Sequence, residues 1–276
     1  MDILLNVVEN KKVNQEITIS GSKSESNRLL ILQNLFPEIS IKNLSDSDDS
    51  VHMQHALSTT EEVVNIGHAG TAMRFLTSYF AVKEGREVVL TGSERMQNRP
   101  IALLVDALKA LGANITYEAK EGYPPIRIKG SRITKQKVQI NGNVSSQYIS
   151  SLLLIASKLE NGLEIELLGK ITSVPYIKMT LALLNQLDIK TSFDDNKITV
   201  FSKKSVAKKT VVVESDWSSA SYFYSIIASL EIGSEITLSA YKKESLQGDS
   251  CLATIYEHFG VETVYKEHSI TLKKVK

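Results

Sequence analysis

The chain has 276 residues, a length that accommodates two domains, and its 42% hydrophobic and 23% charged residues are typical of a folded globular protein. Its 32 basic and 31 acidic residues nearly cancel, which excludes a general basic field for nucleic-acid binding and makes any anion site local. A single cysteine, Cys251, excludes an internal disulfide framework and favours a reducing compartment. The start "MDILLNVVEN" has no signal-peptide pattern, and no apolar run reaches the ~20 residues of a membrane span, so we expect a cytoplasmic protein without membrane or nucleic-acid partners.

The first strand-to-helix junction concentrates polar and basic side chains. "VNQEITIS" alternates with the period of two that is typical of a strand, and "NRLLILQNLF" has the apolar density of a helix. The junction "GSKSESNRLL" therefore places Lys23, Ser24 and Arg28 at a helix N-terminus, where free amide groups and the helix dipole favour anions. The sequence predicts a phosphate or carboxylate site here.

Three later segments share one layout of an amphipathic helix, a stop residue, a strand, a turn and a second strand. Their stop residues, Gly112, Asp188 and Gly260, lie 76 and 72 residues apart, which indicates a domain-scale repeat of roughly 75 residues. The segment "GSKSESNRLLILQNL", the weaker helix "DSVHMQHAL" and the strand "EEVVNIG" resemble a degenerate first unit. We therefore predict three complete units and part of a fourth.

A second set of helices interleaves with the first. "AGTAMRFLTSYFA", "SSQYISSLLLIAS" and "SSASYFYSIIASL" each open with small polar residues, and Thr71, Ser146 and Ser219 recur with the same period. One serine or threonine at a helix start is an ordinary N-cap that contributes about 1 kcal/mol, but two or three donors exceed what one cap needs. If these helices are parallel, their N-termini converge on a site for a highly anionic ligand.

Arginines accompany these helix starts. Arg74 lies in "AGTAMRFL", and Arg95 and Arg99 lie in "GSERMQNRPI". A lone arginine is commonly a solvated surface charge, but a group of guanidinium forks suits carboxylate and phosphate oxygens. We expect Pro100 in the first turn of the next helix, with Arg99 at its entrance.

Six motifs carry a family resemblance. "SGSKSESNR", "AGTAMRFL", "RMQNRPI", "SSQYISSLL", "SVPYIKMTL" and "ESDWSSASYF" occur in the order, and at about the spacing, of the 5-enolpyruvylshikimate-3-phosphate synthases. The chain resembles this family over nearly its whole length. The resemblance implies an α/β fold of repeated βαβαββ units, an inside-out α/β barrel. It also implies a complete three-unit domain over residues 20–213, with most shikimate 3-phosphate contacts, and an incomplete portion of the other domain over residues 1–19 and 214–276.

The same resemblance implies the chemistry. The enolpyruvyl group of phosphoenolpyruvate is transferred to the 5-hydroxyl of shikimate 3-phosphate and phosphate is released, a step of chorismate and aromatic amino acid biosynthesis that needs neither metal nor organic cofactor. Lys23 would contact both substrates and act as the catalytic proton donor. Shikimate 3-phosphate would bind to Lys23, Ser24, Arg28, Ser145, Ser146, Gln147, Ser173 and Tyr176. Phosphoenolpyruvate would bind to Lys23, Gly70, Arg99 and Gln147, and the supporting residues would be Thr71, Arg74, Arg95, Glu214 and Asp216.

The sequence departs from the family in two ways. The family usually has asparagine before "AGTAMR", whereas this chain has His68, which keeps a donor but is bulkier and can titrate near neutral pH. The "PDA", "KExDR" and "DHR" types of segment and a late lysine of the family do not occur, and "YKKESLQGDS" matches an earlier family segment instead. We therefore expect a chain that lacks the C-terminal part of the family, is inactive or nearly so alone, and binds shikimate 3-phosphate weakly.

Alternatives remain open at this stage. We expect a monomer, or a chain whose missing part is supplied separately. The related enolpyruvyl transferase that acts on UDP-N-acetylglucosamine is disfavoured, because Lys23 and Ser24 replace its usual lysine-asparagine pair and Cys251 lies in the wrong segment. A non-catalytic anion-binding fragment is the other alternative.

Overall fold

The structure, a computed structural model, describes residues 12–276, and the expectation drawn from "MDILLNVVEN" lies outside the described residues. The chain divides into two compact units. We call Lys23–Val211 the larger unit, and Val212–Lys276 with the described part of Met1–Ser22 the smaller unit. No helix of the described residues is both long enough and apolar enough to span a membrane.

The elements alternate between helices and short strands along the chain. The first are β1 (Asn14–Ile17), α1 (Lys23–Leu35), β2 (Ile39–Lys42), α2 (Asp48–Ser58), β3 (Val63–Asn65), α3 (Gly70–Ala81), β4 (Glu87–Thr91) and α4 (Glu94–Gln97). Next come α5 (Ala102–Leu111), β5 (Asn114–Tyr117), β6 (Ile126–Lys129), β7 (Lys137–Asn141), α6 (Ser146–Ala156), β8 (Leu163–Leu168), α7 (Val174–Gln186), β9 (Thr191–Asp194), β10 (Lys197–Val200) and β11 (Lys209–Val212). The last are α8 (Trp217–Ala228), β12 (Glu235–Ser239), a 3₁₀ turn (Gly248–Cys251), α9 (Leu252–Glu257), β13 (Val261–Tyr265) and β14 (Ser269–Lys274).

Three four-stranded sheets repeat one topology. Their strand orders are β3-β4-β6-β5, β7-β8-β10-β9 and β1-β12-β14-β13, and in each the first pair is parallel while the other two pairs are antiparallel. A parallel pair needs a crossover connection, which α3 and α6 provide in the first two sheets. Strand β2 pairs with β11 in a separate ladder. The predicted α/β fold of repeated units is confirmed.

The helix stops follow from local backbone conformation. Gly112, Asp188 and Gly260 have φ angles of 109°, 58° and 72°, in the left-handed region that ends a helix and turns the chain into the next strand. The helix predicted from Cys251 is shorter than its two counterparts, because the chain there first makes the 3₁₀ turn and α9 has six residues.

One predicted helix start is wrong. Helix α5 begins at Ala102, and Ile101 is its N-cap with a non-helical φ of −135° and ψ of 0°. The Ile101 amide donates to the Gly122 carbonyl at 2.9 Å, so the chain turns into the helix only after this anchor. Pro100 therefore precedes the helix and does not lie in its first turn.

The inner helices of the larger unit are buried on all sides and run parallel. Every residue of α3 except Thr71 and every residue of α6 except Gln147 is buried. The C-terminal ends of α1, α3 and α6 line one cavity. At the other end, the Gln147 Nε2 atom of α6 donates to Thr71 Oγ1 of α3 at 3.3 Å. Helices α3 and α6 therefore share both ends, and α1 meets them at the C-terminal end.

Candidate anion-binding site

The N-terminus of α3 forms a glycine contact with an arginine. A Cβ atom added to Gly70 would lie 3.0 Å from Arg99 Cζ and closer still to Nη1, so the guanidinium rests against the Gly70 Cα. Only glycine leaves this space open. The preceding loop is fixed by Gly67, whose amide donates to Asn65 Oδ1 at 2.9 Å and whose carbonyl accepts from the Ser93 amide at 2.8 Å.

Hydrogen bonds fix the backbone on both sides of Arg99, whereas the Arg99 side chain is exposed. Its amide donates to the Met96 carbonyl at 3.0 Å. The Pro100 carbonyl accepts from Arg74 Nη2 at 3.2 Å and from the Tyr148 hydroxyl at 2.8 Å. Arg74 also donates from Nη1 to the Gly70 carbonyl at 3.1 Å. These bonds fix the segment that presents the Arg99 guanidinium.

The N-terminus of α6 brings the serine-glutamine motif to the same place. Ser145 is the N-cap, and its Oγ accepts from the Gln147 amide at 3.4 Å. Ser145 is exposed, Ser146 is buried and Gln147 is half-buried. Through its bond to Thr71, Gln147 connects this motif to the residue that follows Gly70.

Arg28 lies at the buried centre of α1, α6 and α7. Only 3% of its surface is exposed, and its Nε donates to Thr180 Oγ1 at 2.8 Å. Nη1 donates to the Ser24 carbonyl at 2.7 Å, and Nη2 donates to Ser150 Oγ at 3.2 Å and to the Tyr176 carbonyl at 3.5 Å. Arg28 therefore fixes the backbone at Ser24 and Tyr176, two of the predicted ligand contacts.

The remaining predicted contacts of the larger unit are accessible. Lys23 is the first residue of α1 and is exposed. The Tyr176 ring is 47% exposed. Ser173 is exposed and caps α7 in a left-handed conformation with a φ of 55°. Arg95 is exposed on the short helix α4.

The site concentrates positive charge, and the buried Glu25 of α1 interacts electrostatically with Arg28. Arg28 and Arg74, with 3% and 4% of their surface exposed, form no salt bridge with a described residue, and neither do Lys23, Arg95 and Arg99. Burial lowers the pKa of Arg28 to about 10. Burial also lowers the pKa of Arg74, and repulsion from Arg99 lowers it further. Neutral oxygen atoms accept the hydrogen bonds of both buried guanidiniums, and cations held in this way can take an anion as counter-charge.

His68 lies on the exposed side of the glycine loop. Its Nε2 is 3.7 Å from Asp48 Oδ2, and its ring centroid is 6.4 Å from that of His52. Its side chain is 65% exposed. Across residues 12–276, no cluster of three or more His, Cys, Asp or Glu side chains is arranged to hold a metal ion.

Two predicted supporting residues belong to the smaller unit and have structural contacts there. The buried Glu214 carboxylate accepts from Trp217 Nε1 at 2.8 Å, from the Lys242 amide at 3.1 Å and from the Ser245 hydroxyl at 2.7 Å. Asp216 caps α8 by accepting from the Ser219 amide at 3.0 Å. Their participation in a reaction stays a prediction.

Sequence reasoning missed three side chains that hold the site together: Tyr148, Ser150 and Thr180. The position of Tyr148, directly after Gln147, was a usable signal. Ser150 and Thr180 gave none, because their bonds to Arg28 join residues that are 122 and 152 positions away from it in the sequence.

Comparisons with known proteins identify the family of this chain. The family model described as EPSP synthase (3-phosphoshikimate 1-carboxyvinyltransferase) matches residues 56–276. The chain is 44% identical to a 3-phosphoshikimate 1-carboxyvinyltransferase of Bacteroides fragilis (strain YCH46), over 95% of this chain and 64% of that relative. It is 39% identical to a protein of the same name from Colwellia psychrerythraea, over 95% of this chain and 67% of that relative.

A solved structure shares the fold. An EPSP synthase from Acinetobacter baumannii superimposes with a TM-score of 0.78 at 19% identity, covering 96% of this chain and 66% of that one. The chain thus spans about two thirds of the length of the proteins it matches. The resemblance drawn from the six motifs is confirmed, and the chain belongs to the EPSP synthase family.

Proposed function

We propose that this chain takes part in the transfer of the enolpyruvyl group of phosphoenolpyruvate to the 5-hydroxyl of shikimate 3-phosphate, with release of phosphate. One observation carries the proposal: two buried guanidiniums, Arg28 and Arg74, form no salt bridge with a described residue. Arg28 shares α1 with the exposed Lys23, and Arg74 contacts Gly70 together with the exposed Arg99. Each substrate carries a phosphate and a carboxylate, so the reaction needs a site with excess positive charge.

The accessible residues suit the binding of shikimate 3-phosphate. The first turns of α6 and α7 offer the hydroxyl groups of Ser145 and Ser173 and the amide of Gln147 as donors to phosphate. Tyr176 offers an exposed ring face to the carbocycle. Arg28 contributes positive potential from beneath and fixes the backbone at Ser24 and Tyr176.

The part of the site formed by Gly70 and Arg99 suits the binding of phosphoenolpyruvate. The Arg99 guanidinium can form paired hydrogen bonds with a carboxylate or phosphate. Gly70 lets a ligand approach the helix amides closely, because it has no side chain. Gln147 follows Ser145 and Ser146 on α6 and donates to Thr71, the residue after Gly70. It therefore joins the part of the site proposed for shikimate 3-phosphate to the part proposed for phosphoenolpyruvate.

Lys23 is proposed as the general acid. The reaction protonates the methylene carbon of phosphoenolpyruvate while the 5-hydroxyl oxygen attacks the neighbouring carbon and loses its proton. Phosphate and one proton of the newly formed methyl group then leave the tetrahedral intermediate, which restores the carbon-carbon double bond. An exposed ammonium at the first position of α1 is a suitable proton donor for the first step.

Binding and turnover need separate tests, because the chain spans 64% of the Bacteroides fragilis relative. Isothermal titration calorimetry should give tighter binding of shikimate 3-phosphate than of inorganic phosphate. Lys23→Met should weaken binding of both substrates, whereas Lys190→Met, at an exposed lysine without a salt bridge to a described residue, should not. Equal affinity for shikimate 3-phosphate and phosphate would contradict the proposal and indicate a general anion-binding module. A phosphate-release assay then measures turnover.

A further inference from the structure

The segment that presents Arg99 depends on a tyrosine that has no proposed contact with either substrate. We propose that Tyr148 is a positioning residue: its hydroxyl, together with Arg74, fixes the Pro100 carbonyl and so holds the Arg99 guanidinium against Gly70. This inference rests on the proposed function, because it assigns Arg99 to the binding of phosphoenolpyruvate.

The peptide after Pro100 is fixed at both of its polar atoms. Its oxygen accepts from Tyr148 at 2.8 Å and from Arg74 at 3.2 Å, which uses both lone pairs. Its nitrogen, that of Ile101, donates to the Gly122 carbonyl at 2.9 Å. The backbone from which the Arg99 side chain extends towards Gly70 is therefore fixed in position.

The hydrogen bonds to the Pro100 carbonyl are needed because the guanidiniums of Arg74 and Arg99 repel each other. Both guanidiniums lie against Gly70: Arg74 donates to its carbonyl at 3.1 Å, and Arg99 Cζ lies 3.0 Å from the position that a Cβ would take. Burial lowers the pKa of Arg74, and the positive charge of Arg99 lowers it further. Without an anion between them, repulsion favours a conformation in which Arg99 swings towards solvent. The Tyr148 hydroxyl is a neutral donor, so it helps to fix the Pro100 carbonyl without adding a third positive charge.

Tyr148 also connects the two sides of the site. It follows Gln147 directly on α6, and Gln147 donates to Thr71, the residue after Gly70. Two successive residues of one helix thus reach both segments that form the contact between Gly70 and Arg99. The first turn of α6 sets the distance between these segments.

Tyr148→Phe is a clean probe of this role. The ring can stay in place, where it packs with its centroid 5.9 Å from Arg74 Cζ, and only the hydroxyl is lost. The matched control is Tyr224→Phe, which removes a buried hydroxyl bonded to Thr263 Oγ1 at 2.7 Å in the smaller unit. Arg74→Met is less suitable, because it removes several bonds at once.

The experiment is calorimetric titration of the full chain. Phosphoenolpyruvate is titrated in the presence of saturating shikimate 3-phosphate, and shikimate 3-phosphate is titrated alone. Tyr148→Phe should weaken phosphoenolpyruvate binding by about three- to tenfold, the effect of one lost hydrogen bond, and leave the dissociation constant of shikimate 3-phosphate within about twofold. Tyr224→Phe should change neither constant. In a chain that already carries Arg99→Gln, Tyr148→Phe should have no further effect.

The contrary outcomes are distinct. Unchanged phosphoenolpyruvate binding in Tyr148→Phe would overturn the inference alone. The same holds for an equal loss for both ligands, or for an undiminished effect in the Arg99→Gln background. Failure of the unaltered chain to bind phosphoenolpyruvate in the presence of bound shikimate 3-phosphate would also overturn it. Failure to bind shikimate 3-phosphate at all would contradict the proposed function, and the inference with it.

Discussion

The larger and smaller units use the same repeated unit with different chemistry at the start of the inner helix. In the larger unit, α3 and α6 are buried on all sides, and the cations beside their N-termini lack salt bridges to described residues. In the smaller unit, α8 leaves Tyr222 and Ile226 73% and 49% exposed, and it begins at the acidic residues Glu214 and Asp216. The repeat therefore supplies helix starts in both units, and the charges beside them differ: cationic in the larger unit and acidic in the smaller one.

The largest expected effect concerns packing. Leu153 of α6 and Ile226 of α8 lie 73 residues apart, at equivalent positions of the repeat, and are 0% and 49% exposed. Leu153→Ala should lower the free energy of unfolding by about 2–5 kcal/mol, because it leaves a cavity. Ile226→Ala should cost less than about 1 kcal/mol, since the side chain is already half in water. Denaturant unfolding measures both, and equal losses would contradict the difference in burial between the two helices.

The next effect concerns the buried charge. Arg28→Met should weaken shikimate 3-phosphate binding by about 10- to 100-fold, because it removes a charged donor and releases the backbone at Ser24 and Tyr176. The control is Arg132→Met, at an arginine 65% exposed and paired with Glu160 at the other end of the inner helices. Calorimetry should find no change for the control. Comparable losses in both variants would mean that net charge, not position, governs binding.

A smaller effect should follow from a single methyl group. Gly70→Ala places Cβ against the Arg99 guanidinium, which can move because it is the end of a flexible side chain. Phosphoenolpyruvate binding should weaken by about tenfold, a penalty of about 1.4 kcal/mol, while the midpoint of thermal unfolding stays nearly constant. Gly248→Ala is the control, since a Cβ there meets no atom within 4 Å. If Gly70→Ala leaves the phosphoenolpyruvate affinity unchanged, the contact between Gly70 and Arg99 does not contribute to phosphoenolpyruvate binding.

The smallest effect concerns buried tyrosines of the smaller unit at alkaline pH. Burial raises the pKa of Tyr224 and Tyr241 in the smaller unit above their ordinary value of 10.0. The folded state then holds these protons after the unfolded chain has lost them, so stability is complete below pH 10 and falls as the pH rises above it. Urea unfolding followed by the fluorescence of Trp217, the one tryptophan of the sequence, should show this loss between pH 9 and pH 11. Tyr224→Phe should make the loss smaller, and an unchanged pH dependence would contradict the assignment.

Local signals in the sequence predicted the repeated fold well. Glycine or aspartate at positions 112, 188 and 260 stops each helix with a left-handed residue, and this conformation depends on short-range geometry alone. Pro100 shows the limit of such signals. Its preference for a first helical turn was outweighed by the bond from the Ile101 amide to Gly122, which lies 21 residues further along the chain.

The site was predictable in its residue types but not in its internal contacts. Clustered donors and cations at helix starts indicate a candidate anion site from the sequence alone. The burial of Arg28 was not visible, because it depends on Ser150 and Thr180 arriving from two other helices. The hydrogen bonds to the Pro100 carbonyl likewise depend on packing between segments that are distant in the sequence. The helical periodicity of 3.6 residues carries no information about such packing.

The most direct test of the central claim is a titration of the isotope-labelled chain with shikimate 3-phosphate, followed by backbone amide resonances. We predict the largest shifts in the first turns of α1, α3 and α6, at Ser24, Thr71 and Gln147, with little change in β13 and β14 of the smaller unit. Shifts confined to other surfaces, or none at saturating ligand, would contradict it.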